Sequence, residues 1–233
     1  MYEEKIIPPK KAMPQAQDGT LRKFALRVPE VIYQCSGIMV FGKRIKSLVF
    51  STDLSIIKNV NADAIIAVYP FTPQPIITQA LLLAADIPVF AGVGGGLTKG
   101  QRVVNLAMFA EMQGATGGVL NAPTANTVVQ HVAETIDIPV VVTVARADTD
   151  FDARLQSGTN IFNVSAAAET PAIVRSIRER YPDVPIIATG GPTDESILET
   201  IQAGAIASPW TPPSNGESFR DIMAAYRDNK PHP

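Results

Sequence analysis

The chain has 233 residues, of which 46% are apolar, 18% charged and 6% aromatic, and its 20 basic and 22 acidic side chains give a formal charge of −2. This balance lacks the basic footprint of a dedicated nucleic-acid-binding protein, and the single cysteine, Cys35, excludes an internal disulfide framework. The sequence has no run of ~18 uninterrupted apolar residues that would span a membrane, and its start does not resemble a signal peptide. We therefore expect a cytoplasmic protein without a membrane partner.

The first 45 residues differ in pattern from the rest of the chain. Prolines and apolar side chains such as Ile6, Ile7 and Met13 occur there without regular alternation. Such a segment is typical of an arm, or of a cover over one end of a core. We predict an arm or capping segment over 1–45, a repeating folded region over 46–227 and a tail over 228–233. The arm is expected to close the bottom of the fold or to join copies of the chain into a homo-oligomer.

Eight short apolar runs alternate with longer amphipathic stretches after residue 45. The runs lie at 47–51, 64–69, 88–93, 117–121, 139–144, 160–165, 185–189 and 205–208. Because they are apolar without alternation, they indicate parallel strands buried on both faces. The stretches between them carry helix signals, such as the capping pattern from Ser214 to Glu217. Eight strand–helix alternations predict an α/β fold, a (β/α)8 TIM barrel; an open doubly wound sheet is the alternative.

In such barrels the active site lies at the C-terminal ends of the strands. The segments that follow the predicted strands are small, polar and rich in glycine, which suits the binding of an anion by backbone N–H groups. We therefore predict a small anionic metabolite as the partner. The predicted substrate- or phosphate-binding residues are Gly94, Gly95, Asn121, Asn163, Gly190, Gly191 and Ser208. The alternative is that the glycines only permit tight turns and that the asparagines only hold neighbouring loops.

The segment 186–191 ends in the pair Gly190-Gly191 and is followed by a helical stretch and by the run that ends at Ser208. It resembles the phosphate-binding TIM barrels, a superfamily that includes thiamin-phosphate synthase and indole-glycerol-phosphate synthase. That resemblance implies a phosphate held by backbone amides near Gly190, Gly191 and Ser208. The sequence departs from the pattern at Ser208-Pro209-Trp210, where a glycine-led turn is expected and proline removes one N–H donor.

The glycine-rich stretch 91–97 and the general spacing of the strands resemble, more weakly, the glycerol-uptake operon antiterminator barrels. Those are regulatory proteins, so this resemblance implies a barrel that binds a ligand without turning it over. The stretch is neither a Walker A loop nor a dinucleotide-binding fingerprint, because the lysine and the glycine spacing that these motifs require are missing.

Two charged residues are candidates for catalysis. Asp53 follows the first predicted strand and could transfer a proton, or it could cap the next helix. Arg146 follows the fifth and could clamp an anionic group, or it could pair with Asp148 or Asp150. No set of acidic or histidine residues has the spacing of a zinc or magnesium site, so we expect no metal and no cofactor.

The predicted function is therefore that of an enzyme of isomerase or lyase type, acting without a metal on a small phosphorylated or carboxylated metabolite. A non-catalytic regulatory or ligand-sensing barrel is the first alternative. A flavin-phosphate-binding barrel is the second, and it predicts a yellow protein.

Overall fold

The computed structural model describes residue 15 and residues 26–231. Its ten strands are β1 (Ile38–Val40), β2 (Lys43–Ile45), β3 (Ser47–Phe50), β4 (Ala64–Ala67), β5 (Val89–Gly94), β6 (Gly117–Leu120), β7 (Val140–Val144), β8 (Ile161–Val164), β9 (Ile186–Ala188) and β10 (Ser208–Trp210). Its eight α-helices are α1 (Leu54–Asn59), α2 (Pro75–Ala84), α3 (Gln101–Met112), α4 (Asn126–Thr135), α5 (Phe151–Gln156), α6 (Thr170–Arg180), α7 (Asp194–Gln202) and α8 (Asn215–Arg227). Short 3-10 helices occupy Glu30–Gln34 and Ala167–Glu169.

The strands β3 to β10 form one closed, parallel sheet. Each strand pairs with the next along the chain, β10 returns to pair with β3, and a parallel bridge between Ile187 and Ala207 joins β9 to β10. The predicted TIM barrel is therefore confirmed, and the open doubly wound sheet is excluded because its two edge strands would not meet. Every helix that follows a barrel strand begins at the C-terminal end of the sheet, which we call the mouth.

Apolar side chains from seven strands, β3 to β9, and from Ala207 just before β10 fill the inside of the barrel. Leu48, Phe90, Val119 and Ile161 belong to this interior cluster and are almost fully buried. Side chains of the opposite parity pack outward against the helices, as Val49 and Ile65 do against Ile57 of α1. Because both faces of each strand are covered, the continuous apolar runs of the sequence follow directly from the architecture.

A hairpin formed by β1 and β2 closes the bottom of the barrel, the end opposite the mouth. Ile38 and Ile45 are buried in the same cluster as the barrel interior, and the N–H of Gly37 donates to the carbonyl of Ile206. This hairpin lies within the predicted arm. Residues 1–14 and 16–25 lie outside the described residues, so the boundaries of the arm and the tail stay predictions.

The last barrel strand differs from its prediction, 205–208. The structure has β10 at Ser208–Trp210, with the N–H of Ser208 donating to the Lys46 carbonyl. Pro209 and Trp210, which the prediction placed after the last strand, are part of it. The paired contact of this segment with β9 ends at Ala207, so the missing N–H of Pro209 removes no bond of the sheet, and proline is tolerated there.

Within the part of the chain that the structure describes, every helix is too short or too polar to cross a lipid bilayer.

Candidate functional site

A cavity of about 90 Å³ opens at the mouth, above the C-terminal ends of β4 to β7. One wall is the segment that follows β4, and the other is the glycine-rich segment that ends β5 and continues to Thr98. Its lining residues are Val68, Tyr69, Pro70, Phe71, Thr72, Pro73, Gly92, Gly94, Gly96, Leu97, Thr98, Val119, Asn121 and Thr143. Among these residues there is no charged side chain, and the polar groups are hydroxyls, one amide and backbone atoms.

The glycine-rich wall is fixed by backbone geometry. The register between β5 and β6 shifts at Gly94, whose carbonyl accepts the N–H of Asn121 at 2.9 Å. Gly95 has a φ of +102°, a conformation that favours glycine, and its N–H donates to the carbonyl of Thr98 at 3.0 Å. Within residues 26–231, the N–H groups of Gly96 and Leu97 enter no backbone hydrogen bond. These two amides are therefore available to a ligand.

Asn121 directly follows β6 and faces this wall. Its Oδ1 accepts the N–H of Ala122 at 2.9 Å, which leaves the Nδ2 group beside Gly96. Thr124 donates its hydroxyl to the carbonyl of Asn121 at 2.7 Å and so fixes the turn that follows the strand. The structure thus brings together three of the predicted binding residues, Gly94, Gly95 and Asn121.

Arg154 of α5 holds the same turn from below. Its Nη2 donates to the carbonyl of Ala122 at 2.8 Å, and its Nη1 donates to Thr124 O at 2.5 Å and to Asn126 Oδ1 at 2.8 Å. Partial burial lowers the pKa of this guanidinium, although arginine stays protonated in proteins. Sequence reasoning missed Arg154, because nothing in its local sequence shows that its partners lie about 30 residues away.

The helices around the cavity begin without side-chain caps. The N-termini of α2, α3 and α4 have neither a capping hydrogen bond from a side chain nor an acidic residue in the first turn. The helix α6 also begins without a side-chain cap, whereas the first residues of α1, α5, α7 and α8 are capped by Asp53, Asp150, Thr193 and Ser214. Uncapped N–H groups carry partial positive charge.

Two buried polar atoms near the cavity have no partner within the described part of the chain. The side chain of Thr98 is 5% exposed and its hydroxyl is unpaired, and Asn163 is 8% exposed with an unpaired Oδ1. Asn163 lies beside Thr143 in the pairing of β8 with β7, and its Nδ2 donates to the Thr143 hydroxyl at 3.4 Å. Buried polar groups without partners are rare, and a ligand is one physical reason for them.

The two predicted catalytic residues lie apart from this cavity and have partners of their own. Asp53 caps α1: it accepts the N–H of Ser55 at 2.8 Å, its hydroxyl at 2.7 Å and a hydrogen bond from Asn215 at 2.6 Å. The hydroxyl bond from Ser55 is the largest cause that holds the pKa of this carboxyl below its usual value. Arg146 makes two hydrogen bonds to Asp148, at 2.9 and 2.7 Å, and both side chains are exposed. The strands that precede them, β3 and β7, lie on opposite sides of the barrel.

The glycine pair and Ser208 are not brought together at the mouth. A β-carbon on Gly190 would come within 2.6 Å of the Cα of Ile197, so this glycine lets α7 pack against the barrel. Gly191 has a φ of +84°, and two acidic residues, Asp194 and Glu195, occupy the first turn of α7. Ser208 is 1% exposed and lies opposite Ser47, the first residue of β3. The two glycines have structural explanations that involve no ligand, while the buried hydroxyl of Ser208 has no hydrogen-bond partner among the described residues.

No family model and no curated protein matches this chain. Among solved structures it is similar to a putative phosphonomutase from Burkholderia cenocepacia J2315, with 14% identity and a TM-score of 0.61 over 78% of this chain and 93% of that one. It is similar to a phosphonopyruvate hydrolase in complex with oxalate and Mg²⁺ (12% identity, TM-score 0.60, 80% and 84% of the chains). It is also similar to a 2,3-dimethylmalate lyase of the PEP mutase/isocitrate lyase superfamily (10% identity, TM-score 0.56, 85% and 82% of the chains). At these identities the similarities show the barrel fold.

The magnesium ion in one of these neighbours raises the question of whether this chain could hold one. Magnesium in proteins is held through carboxylates in a nearly octahedral arrangement. The lining of the mouth cavity contains no carboxylate, and the described residues contain no group of three His, Cys, Asp or Glu side chains that could hold a metal ion. The residues at the mouth therefore do not fit a magnesium site.

Proposed function

We propose that this chain binds a small anionic metabolite, carboxylated or phosphorylated, in the mouth cavity and acts on it as a metal-independent enzyme of isomerase or lyase type. The observation that carries this proposal is the cavity itself, which is lined by uncharged polar groups and by Gly96 and Leu97, whose N–H groups enter no backbone hydrogen bond within the described residues. Fold neighbours that are named as a lyase, a hydrolase and a putative mutase give it general support, although a TIM barrel hosts many chemistries.

Tyr69 is the titratable side chain that borders the cavity. Its hydroxyl accepts the N–H of Gln74 at 2.7 Å, so its own O–H remains available to donate to a ligand. Tyrosine can serve as a general acid or base when it lies within reach of the reacting group. The roles predicted for Asp53 and Arg146 stay part of this proposal, and they require a ligand that extends out of the cavity across the mouth.

A thermal-shift screen tests the proposal. Small carboxylates, inorganic phosphate and sugar phosphates are each added at millimolar concentration, and compounds that raise the melting temperature are then followed by proton NMR for turnover. A ligand at 100 times its Kd stabilises the protein by about 2.7 kcal/mol, which is readily detected. Stabilisation together with turnover supports an enzyme, and the absence of stabilisation by every anion contradicts the proposal.

A non-catalytic ligand-sensing barrel is the second candidate. It is favoured by one observation, namely that the cavity is lined by uncharged side chains while Asp53 and Arg146 are held by other residues. This candidate predicts binding without turnover in the same screen. The third hypothesis, a flavin-phosphate barrel, predicts visible absorbance of the purified protein, and a colourless protein contradicts it.

A further inference from the structure

We propose that the bottom hairpin docks into a groove at the bottom of a second copy of this chain, so that two copies pair about a two-fold axis. The sequence predicts a homo-oligomer through the N-terminal arm but names no surface for it. This inference concerns the end of the barrel opposite the mouth, and it does not depend on the binding of an anion at the mouth.

A groove of about 560 Å³ opens at the bottom of the barrel, beside the hairpin. We call it the bottom groove. The hairpin forms one side of it, and the segments that enter β7, β8 and β9 form the other. Its lining residues are Ile38, Met39, Val40, Phe41, Ala133, Ile136, Asp137, Ile138, Pro139, Val140, Gly158, Asn160, Ile161 and Pro185. Among these lining residues, which all belong to the described part of the chain, one is charged, Asp137.

Two large apolar side chains stand out from the hairpin next to this groove. Met39 is 60% exposed and Phe41 is 68% exposed. Met39 lies between Ile38 and Val40, which are both buried against the barrel, so the alternation of the strand turns Met39 away from the barrel. Exposed apolar side chains that adjoin an apolar groove form the kind of patch that marks an interaction surface.

The backbone holds Phe41 at the tip of the hairpin in a conformation that is unusual for its residue type. Its φ is +46°, and Gly42 follows with a φ of +76°. Asparagine, aspartate and glycine are the residues that favour such a two-residue turn, and a bulky residue with positive φ is an outlier. Local strain of this kind is typical of positions that make a functional contact. An apolar contact made by the tip gives a physical reason for phenylalanine there.

The patch is complementary to itself, which a two-fold interface requires because it brings the same surface of both copies together. The apolar tip with the exposed Lys43 beside it and the apolar groove with the exposed Asp137 lie on one surface. Within the described residues, neither Lys43 nor Asp137 enters an ion pair of its own chain. A second copy therefore supplies both the apolar group and the basic group that match the groove. In the pair, Phe41 of each copy enters the groove of the other, and Lys43 of each copy faces Asp137 of the other.

Charge reversal tests this pairing in the full chain, with the dimer dissociation constant measured by sedimentation velocity over a concentration series. The wild type is expected to dimerise. Lys43→Glu places two acidic groups at both contacts of the pair, and Asp137→Lys places two basic groups there. Each variant is therefore expected to raise the dissociation constant about tenfold or more.

Mixing the two variants in equal amounts tests the contact between Lys43 and Asp137 directly. In a mixed dimer one contact joins the two reversed residues and the other joins the two native ones, so both contacts again join opposite charges. The mixture is expected to form dimers at concentrations at which each variant alone is monomeric. The double variant Lys43→Glu/Asp137→Lys is expected to dimerise like the wild type, for the same reason.

Lys99→Glu is the matched control, because Lys99 is also exposed but lies in the segment after β5, at the mouth. It should keep the wild-type dissociation constant, and an effect equal to that of Lys43→Glu would contradict the inference. A monomeric wild type would mean that the groove takes another occupant, and the inference would be wrong. It would be equally wrong if the single variants dimerised like the wild type, or if both the mixture and the double variant stayed monomeric.

Discussion

Gly95 lies so close to Thr124 that a β-carbon on Gly95 would come within 1.9 Å of the Thr124 hydroxyl oxygen. That hydroxyl donates to the carbonyl of Asn121, so the contact joins the glycine-rich wall of the cavity to the turn after β6. The φ of Gly95, +102°, is also one that residues with a side chain rarely adopt. A single position therefore controls both the path of the wall and the placement of Asn121.

We expect Gly95→Ala to lower the free energy of unfolding by about 1 to 3 kcal/mol and to weaken anion binding at the mouth. Gly96→Ala is the matched control, because its φ lies outside the left-handed region and the nearest atom to its β-carbon is 3.8 Å away. Urea unfolding of the two variants beside the wild type measures the difference. Equal stability losses in the two variants would contradict the assigned contact.

Arg154→Met removes three hydrogen bonds to the turn that carries Asn121 while keeping most of the side-chain volume. We expect a loss of about 1 to 3 kcal/mol, because the partly buried carbonyls of Ala122 and Thr124 lose their donor, and a weaker affinity for the ligand at the mouth. Arg178→Met is the control, since Arg178 donates in a similar way to the carbonyl of Gly204 on the far side of the barrel. It should cost stability without changing affinity, and an equal loss of affinity in both variants would show that Arg154 has no specific role.

Asp53 gives a prediction that separates capping from catalysis. Asp53→Ala should cost about 1 kcal/mol of stability, whereas Asp53→Asn should cost little, because asparagine caps a helix as well as aspartate does. If Asp53 transfers a proton, Asp53→Asn should abolish turnover of the substrate found in the screen; turnover at the wild-type rate would remove Asp53 from the mechanism. Because the folded state lowers the pKa of this carboxyl, its contribution to stability is present above its unfolded pKa of about 3.9 and is lost as the pH falls further.

Burial raises the pKa of the Cys35 thiol to about 11. The unfolded thiol ionises near pH 8.5, so between about pH 8.5 and 11 the unfolded state loses this proton while the folded state keeps it. Stability should therefore fall as the pH rises through this window, by up to about 1.4 kcal/mol per unit. Urea unfolding at pH 7.5, 9.5 and 10.5 measures the slope, and Cys35→Ala should show a smaller one. Identical slopes in the two proteins would contradict the burial of an un-ionised thiol.

Phe41 and Gly42 form the two-residue turn of the bottom hairpin, and both have positive φ, +46° and +76°. Asparagine is preferred over phenylalanine in such a turn, so Phe41→Asn should raise the free energy of unfolding by about 1 kcal/mol.

Phe41 and Met39 are also mostly exposed, and the predicted homo-oligomer would use this surface. Light scattering then tests the oligomer: the wild type should form one that Phe41→Asn weakens, and a monomeric wild type at high concentration would contradict it.

The fold could be predicted because parallel strands covered on both faces leave a sequence pattern that is entirely local. The last strand was misplaced because Pro209 resembles the start of a loop, and only the end of the contact with β9 at Ala207 shows that proline is tolerated there. At the mouth, Gly94, Gly95 and Asn121 were predicted as binding residues from two different strand ends, and the structure has them side by side; their binding role stays a prediction. Thr98 was missed because only the tertiary structure shows that its hydroxyl is buried without a partner. Arg154 was missed because it donates hydrogen bonds to residues about 30 positions away in the sequence.

The central claim is that the ligand binds between the glycine-rich wall and Asn121, and amide NMR tests it most directly. The ¹⁵N-labelled protein is titrated with small carboxylates and with inorganic phosphate, and the backbone amide signals are followed. We predict the largest shifts for residues 94–98 and for Asn121, with little change at Gly190 and Gly191. Shifts centred on Gly190, Gly191 and the first turn of α7, or no shifts with any small anion, would contradict the account.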